Sequence, residues 1–150
     1  MPKQESTPSD REIARLQELL LKAVLLDEPL PGGAGRPRLA DLSFILRHTH
    51  IFLSEENLAG KISIEGLPKP LRVVSPEELR GLAREEGDVA YLRFQPPAGE
   101  GDGEVWLTLE GRLATRDEAQ GSLGLSSVQV KFREGGDGWE STGETRALAS

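Results

Sequence analysis

The feature that most constrains the fold of this chain is an alternation of apolar and polar residues along three segments, at about 88–95, 103–114 and 125–134. Successive side chains of a strand point to opposite faces, so a period of two predicts three strands that each bury one face. The glycine-rich stretch 96–103 is typical of a hairpin connection between the first two segments. The pattern therefore predicts an antiparallel sheet with one aliphatic face, which the helices cover, and one face of mixed polar and aromatic residues.

A long N-terminal helix is predicted from about Asp10 to Asp27. Apolar residues recur there at helical spacing, and Ser9 or Asp10 supplies the N-cap. Leucines outside the main stripe widen its apolar surface, at positions 19, 21, 25 and 26. This helix is therefore either wrapped by the sheet and loops of its own chain or in contact with a partner subunit along one flank.

A second, shorter helix is predicted to start in the segment S-P-E-E-L at 75–79. Ser75 and Glu78 form a capping box, Pro76 occupies the first helical position, and the helix ends at about Glu86. Helices that are segregated from consecutive hairpin strands indicate the α+β class. We expect a long N-terminal helix packed on a curved antiparallel sheet, together with this short helix.

The remaining pattern predicts short elements and the limits of the domain. We expect a helical turn at 39–45, strands at 47–53, 62–64 and 71–74, and a short last strand in W-E-S-T at 139–142. Residues 1–9 are polar with two prolines and are predicted to be disordered. Residues 10–143 are predicted to form a single domain, and residues 144–150, which lack an apolar pattern, a frayed tail.

The residue types and the charge of the chain exclude several kinds of chemistry. The absence of cysteine excludes disulfides, cysteine-ligated zinc, iron–sulfur clusters and a cysteine nucleophile. The net charge is −7 and the arginines are scattered, so we expect neither a nucleic-acid nor a membrane partner. No motif indicates a cofactor. The first residues lack the basic start and apolar run of a secretory signal, which favours a cytoplasmic protein or the mature part of an exported one.

The order of a long helix and then a curved sheet resembles the cystatin-like group, including domains similar to nuclear transport factor 2. Residues 49–140 are also similar to a group of small bacterial proteins of that superfamily. The similarity lies in V-S-P-E-E-L at 74–79, G-D-V-A-Y-L-R-F at 87–94 with the hairpin after it, and G-L-S-S at 124–127 leading to the Trp139 hairpin. It implies a fold and no reaction. Most N-terminal helices of the nuclear transport factor 2 pattern are missing here, so a deep cavity is not implied.

The histidines at positions 48 and 50 are the two histidines of the chain. On a strand, His48 and His50 would point to the same face, and Glu55 or Glu56 would complete a three-ligand metal site. The alternative, which we favour, is a surface or partly buried structural role without a metal.

The mixed face of the predicted sheet carries the candidate interface or ligand residues. These are Tyr91, Arg93, Trp106, Glu110 and Arg112. Aromatic residues and arginines on an otherwise polar face have the composition of an interface hot spot. The alternative is a solvated face with cross-strand aromatic and ion pairs.

The sequence predicts a non-enzymatic binding or assembly module, because no motif brings a nucleophile, a base and oxyanion donors together. G-L-S-S is not a nucleophile elbow, and no catalytic residue is assigned. We expect a homo-oligomer or a protein partner, bound through the mixed face or the leucine-rich helix. The alternative is a small-ligand-binding protein or an enzyme with a pocket between the N-terminal helix and the sheet, whose polar groups come from His48, His50, Tyr91 and Glu110.

Overall fold

A mixed sheet of seven strands forms the centre of the molecule. The computed structural model describes residues 9–32, 37–39, 42–99, 103–116, 122–135 and 138–149. The strands are β1 (Ile51–Ser54), β2 (Leu71–Val74), β3 (Val89–Phe94), β4 (Ala98–Gly99), β5 (Glu104–Ala114), β6 (Ser122–Gly135) and β7 (Gly138–Ala149). Their order is β2-β1-β3-β5-β6-β7, and β4 pairs with β5. The segment predicted to be disordered lies, apart from Ser9, outside the described residues.

The sheet is antiparallel only in its larger part. Strands β3, β5, β6 and β7 pair antiparallel, as the alternating pattern predicted. Strand β1, however, is parallel to both of its neighbours, β2 and β3. Parallel neighbours need long crossover connections. The loop 55–70 and the helix that precedes β3 supply them, so the expectation of a wholly antiparallel sheet was wrong at this edge.

The first helix, α1 (Asp10–Leu26), begins in a capping box. The N–H of Glu12 donates to Oγ of Ser9 at 3.2 Å, and the N–H of Ser9 donates to Oε1 of Glu12 at 3.0 Å. Leucines outside the main stripe are also covered, since Leu21 and Leu25 are buried and Leu19 is half-buried. The sheet and loops of the same chain therefore wrap this helix, which is the first of the two predicted alternatives.

Helices lie on both faces of the sheet. On one face, α1 and α2 (Leu42–Leu46) pack over the main core, which includes Leu16, Leu20, Ile45, Leu92, Phe94, Leu107, Leu109, Val130 and Phe132. On the other face, α3 (Pro76–Glu86) packs over a smaller core of Phe52, Val74, Leu79, Ala83, Val89, Tyr91 and Ala114. Strands β1 and β3 contribute to both cores. The expectation that all helices cover one aliphatic face was therefore wrong for α3.

A buried glutamine ties α1 to the loop after β1. Gln17 is fully buried, and its Nε2 donates to the carbonyl of Asn57 at 2.9 Å while its Oε1 accepts from the N–H of Ala59 at 3.1 Å. Asn57 has the left-handed φ of 62°, and its Nδ2 donates to the carbonyl of Phe94 at 2.9 Å. These bonds satisfy polar groups that a loop packed on a core would otherwise leave unpaired.

Several local predictions were wrong in extent. The strand expected at 47–53 begins at Ile51, and residues 62–64 form no strand. The last strand is much longer than W-E-S-T, because β7 continues to Ala149 in register with β6. The tail predicted to fray is therefore paired with β6 over 145–149. An edge strand is ordered by its backbone hydrogen bonds to one neighbour, and this does not require an apolar alternation of its own.

The predicted class is confirmed as α+β, with the long N-terminal helix packed on the sheet. The helix after Ser75 is also confirmed, since Ser75 and Glu78 form the expected capping box at the start of α3. No helix in the described parts of the chain has the length and apolarity needed to cross a membrane.

Candidate functional site

The sheet face opposite α1 is covered by α3 at one end and is polar over the rest. We call this remaining part the polar sheet face; its members are Arg93, Trp106, Thr108, Glu110, Arg112, Gln129, Lys131 and Arg146. Residues that stand directly opposite in antiparallel strands share a face. The register pairs Arg93 with Glu110, Thr108 with Gln129 and Trp106 with Lys131. The alternation of polar residues in β3, β5 and β6 therefore assembles these side chains on one surface.

A buried carboxylate forms the first cluster on the polar sheet face. Glu110 accepts from Nε of Arg93 at 2.7 Å and from a terminal nitrogen of the same guanidinium at 2.5 Å. A terminal nitrogen of Arg112 lies 3.3 Å from the same oxygen, and Nε2 of Gln95 donates to the other oxygen at 2.9 Å. Hydrogen bonds between charged groups are the strongest that side chains form. The cluster therefore holds two arginines in fixed positions.

The indole of Trp106 forms the second cluster. Nζ of Lys131 lies 5.9 Å from the ring centre, and Cζ of Arg146 lies 4.7 Å from it. Lys131 also lies within 3.0 Å of a carboxylate oxygen of Glu104 and 3.7 Å of one of Glu144. Cations at this distance are attracted by the ring quadrupole of tryptophan. Nε2 of Gln129 donates to Oγ1 of Thr108 at 3.1 Å between the two clusters.

The structure brings four of the five predicted interface residues to one surface and excludes the fifth. Arg93, Glu110 and Arg112 are in direct contact, and Trp106 follows on the same face of β5. Tyr91 lies on this side of the sheet but is buried in the smaller core beneath α3. Its prediction as a surface residue was wrong, because alternation assigns a face but does not show which helix covers it.

Sequence reasoning missed Arg146 as a member of the polar sheet face. It lies in the segment that was expected to fray, so no register could be assigned to it. The signal that could have found it is the alternation of Glu144 and Arg146, since opposite charges two residues apart share one face of a strand. The contact of Lys131 with the indole of Trp106 was also not predicted.

The histidines do not lie on a strand. They occupy the bends before β1, so the expected shared face does not exist. Nε2 of His48 accepts from the N–H of Ala90 at 3.0 Å, and Nδ1 of His50 lies 3.2 Å from Oγ1 of Thr49. Burial, with the positive charge of Arg47 second, lowers the pKa of His48. Within the described residues no group of three metal-ligating side chains forms, and the hydrogen bond that His48 makes is with one backbone amide of β3, that of Ala90.

A cleft of about 310 Å³ lies between α1 and the β6–β7 hairpin. Its walls include Leu16, Leu19, Pro31 and Trp139, with Glu12, Arg15 and Glu140 beside them. Nε1 of Trp139 donates to Oε2 of Glu12 at 2.6 Å and thereby fixes the indole. The N–H of Ser9, with smaller contributions from Trp139 and the Ser9 hydroxyl, lowers the pKa of Glu12. The sequence predicted polar groups for such a pocket from His48, His50, Tyr91 and Glu110, and none of these lines it.

No protein-family model, curated protein or solved structure matches this chain. A functional proposal therefore depends on the chain's own surfaces. Two surfaces built from the described residues combine aromatic and charged side chains in fixed geometry, the polar sheet face and the cleft.

Proposed function

We propose that this protein is a non-enzymatic binding or assembly module that acts through the polar sheet face. The observation that carries the proposal is the contact of the Trp106 indole with the cations of Lys131 and Arg146, beside the Arg93–Glu110–Arg112 cluster. Tryptophan and arginine are the residue types most enriched among interface hot spots. Side chains that are ordered before binding lose less conformational entropy when a partner covers them.

The partner in this proposal is a protein surface, from a second copy or from another chain. The described residues include only one large apolar side chain that is exposed, Val73 on β2. An obligate dimer buries a far more apolar surface than that. The polar sheet face fits instead the mixed composition of interfaces whose partners also exist separately.

The test is the effect of Trp106→Ala on association, measured by sedimentation and light scattering over a wide range of concentration. Loss of a hot-spot tryptophan costs about 2 kcal/mol or more, which is a weakening of about 30-fold. Trp139→Ala, which removes the tryptophan outside the polar sheet face, is the matched control and should leave association unchanged. If the protein is monomeric at all concentrations, the proposal of self-association is wrong. If the two variants have equal effects, the proposal that the polar sheet face is the binding surface is wrong.

The second candidate is a small-ligand-binding protein or an enzyme that uses the cleft beside Trp139. It is supported by the cleft volume of about 310 Å³, which is at the lower end for small-molecule sites. The variant Trp106→Phe leaves Trp139 as the sole tryptophan, so its fluorescence reports on the cleft. Titration with benzoate, benzylamine and phenylalanine should give a saturable change for at least one probe that Arg15→Ala or Glu140→Ala alters. The absence of a saturable change with every probe contradicts this candidate.

The membership in the cystatin-like superfamily and the cytoplasmic location stay predictions. The packing of α1 on the sheet supports the first. Neither is needed for the binding function, which depends on side chains rather than on the fold class.

A further inference from the structure

The outer edge of β7 is divided into two parts. In the strand order of the described residues, β7 lies at the end of the sheet and pairs with β6 alone. The first part of its edge is occupied, because the N–H of Ser141 donates to the carbonyl of Pro31 at 2.8 Å. Gly32 follows so closely that a Cβ on it would lie 2.6 Å from the carbonyl oxygen of Ser141. A partner strand therefore has access only to the later part of this edge.

The later part carries opposite charges on either side of a threonine. Glu144, Thr145 and Arg146 are all exposed. Glu144 lies 3.7 Å from Lys131, and Arg146 stacks on Trp106, so both charged side chains are on the side of the sheet that carries the polar sheet face. Thr145 is in register with Val130 and points to the other side. The sequence E-T-R is therefore complementary to itself when it is read in the opposite direction.

We propose that two copies of this chain pair antiparallel along the later part of β7, about a two-fold axis at Thr145. Thr145 then stands opposite its counterpart, and Glu144 of each copy stands opposite Arg146 of the other. Opposite charges directly across two strands stabilise the pair, and like charges destabilise it. A two-fold interface uses the same surface of both copies, so each contact occurs twice.

The charges of the side chains and the accessibility of the β7 edge favour the axis at Thr145 over axes at neighbouring residues. An axis at Glu144 would bring two carboxylates together, and an axis at Arg146 would bring two guanidinium groups together. An axis at Gly143 would pair Arg146 with Glu140, but it would place the second strand against the edge that Pro31 already occupies. Only the axis at Thr145 combines opposite charges with the accessible part of the edge.

The proposal rests on the assembly function proposed above and adds its geometry. Pairing along β7 joins two sheets edge to edge, so the two polar sheet faces become one continuous surface. The short pairing, centred on 143–147, predicts a weak and reversible dimer, since small interfaces are typical of transient complexes.

A cysteine cross-link tests the axis directly, since the chain contains no cysteine of its own. In the proposed register the Cα atoms at position 145 of the two copies are about 4.5–5.5 Å apart, within the Cα separation that a disulfide spans. In Glu140→Cys, the control, the two thiols are offset by about ten residues, or about 33 Å. We expect Thr145→Cys to give a covalent dimer on mild oxidation in about tenfold greater yield than the control. Equal yields overturn the register.

A charge swap gives an independent test that does not require an introduced thiol. Glu144→Arg and Arg146→Glu should each weaken self-association about tenfold, because each brings like charges together in two places. An equimolar mixture of the two variants should form a heterodimer, and the doubly swapped chain should associate with itself again. Failure of both restorations overturns the proposal, provided that the melting temperatures of the variants match that of the parent protein.

The two proposals fail in different ways. If Trp106→Ala weakens association while the thiols do not cross-link and Glu144→Arg, at a position that is not a member of the polar sheet face, associates normally, the edge pairing is wrong and assembly through the polar sheet face stands. If the protein is monomeric at all concentrations and gives no cross-link, the proposals of edge pairing and of self-association are both wrong.

Discussion

Replacement of Glu110 by alanine tests whether one carboxylate holds the polar sheet face together. Its side chain is 8% exposed and accepts from Arg93, Gln95 and Arg112. Removal of one partner from a buried ion pair costs about 3–5 kcal/mol, because the other charge is left unpaired. The side chains of Arg93 and Arg112 are 25% and 18% exposed, so water compensates part of this loss. We therefore expect Glu110→Ala to lower the free energy of unfolding by about 2–3 kcal/mol.

Urea denaturation followed by circular dichroism measures this loss. The dependence of the unfolding free energy on urea concentration should be unchanged, which shows that the unfolded state is not altered. The matched control is Glu140→Ala on β7, whose carboxylate lies 3.7 Å from Arg133 in a pair that is 41% and 59% exposed. Exposed pairs contribute little, so we expect a loss below about 0.5 kcal/mol. If Glu110→Ala costs no more than this control, the reasoning about the buried cluster is refuted.

A double-mutant cycle between Glu110→Ala and Arg93→Met separates the pair from its surroundings. Because the two side chains are in direct contact, their effects should not add, and the coupling should reach about 1.5 kcal/mol. Additive effects would show that the carboxylate is stabilised mainly by Gln95 and Arg112.

Three further substitutions test other parts of the fold. The hydroxyl of Ser126 is buried with no hydrogen-bond partner among the described residues. Ser126→Ala should therefore raise the free energy of unfolding by about 1 kcal/mol. A drop in melting temperature would instead show that the hydroxyl has a hydrogen-bond partner. The pKa of His48 is lowered from 6.5, so the unfolded chain takes up the proton first and stability should fall as the pH falls below 6.5. His48→Gln keeps an acceptor for the N–H of Ala90 and should abolish this pH dependence of the unfolding free energy, measured by urea titration at pH 5 to 7. An unchanged pH dependence would show that His48 is not its source. Gly32 has φ 99° and would clash with Ser141, whereas Gly66 has φ 82° in open space, so Gly32→Ala should cost about 2–3 kcal/mol and Gly66→Ala about 1 kcal/mol. If the two substitutions lower the free energy of unfolding equally, the backbone at Gly32 can move away from Ser141 without loss.

The faces of the antiparallel strands and the starts of both long helices could be predicted because they depend on residues close in sequence. A period of two placed Arg93, Glu110 and Arg112 together, and the capping boxes after Ser9 and Ser75 form as the side-chain chemistry requires. These signals are complete within a few residues, so no knowledge of the tertiary fold is needed to interpret them.

The features that could not be predicted depend on contacts between distant segments. Whether β1 runs parallel to β3 depends on the path of the loop 55–70, and the burial of Tyr91 depends on where α3 crosses the sheet. The cleft joins Glu12 to Trp139 across most of the chain. No local pattern indicates such a pair, because the residues next to Glu12 and those next to Trp139 carry no information about each other.

The two cores on opposite faces of the sheet divide the chain into parts with different freedom to change during evolution. In β1 and in most of β3, both faces are packed, so substitutions at adjacent positions should be equally damaging. In β6, from Ser126 to Arg133, the residues on the α1 side are buried and the alternate residues are partly or fully exposed, so the alternate residues can vary in chemistry. A library covering every position should therefore show continuous intolerance along β1 and β3 and a tolerance of period two along β6. New recognition surfaces can arise on the second half of this sheet without any loss of the structure that the first half maintains.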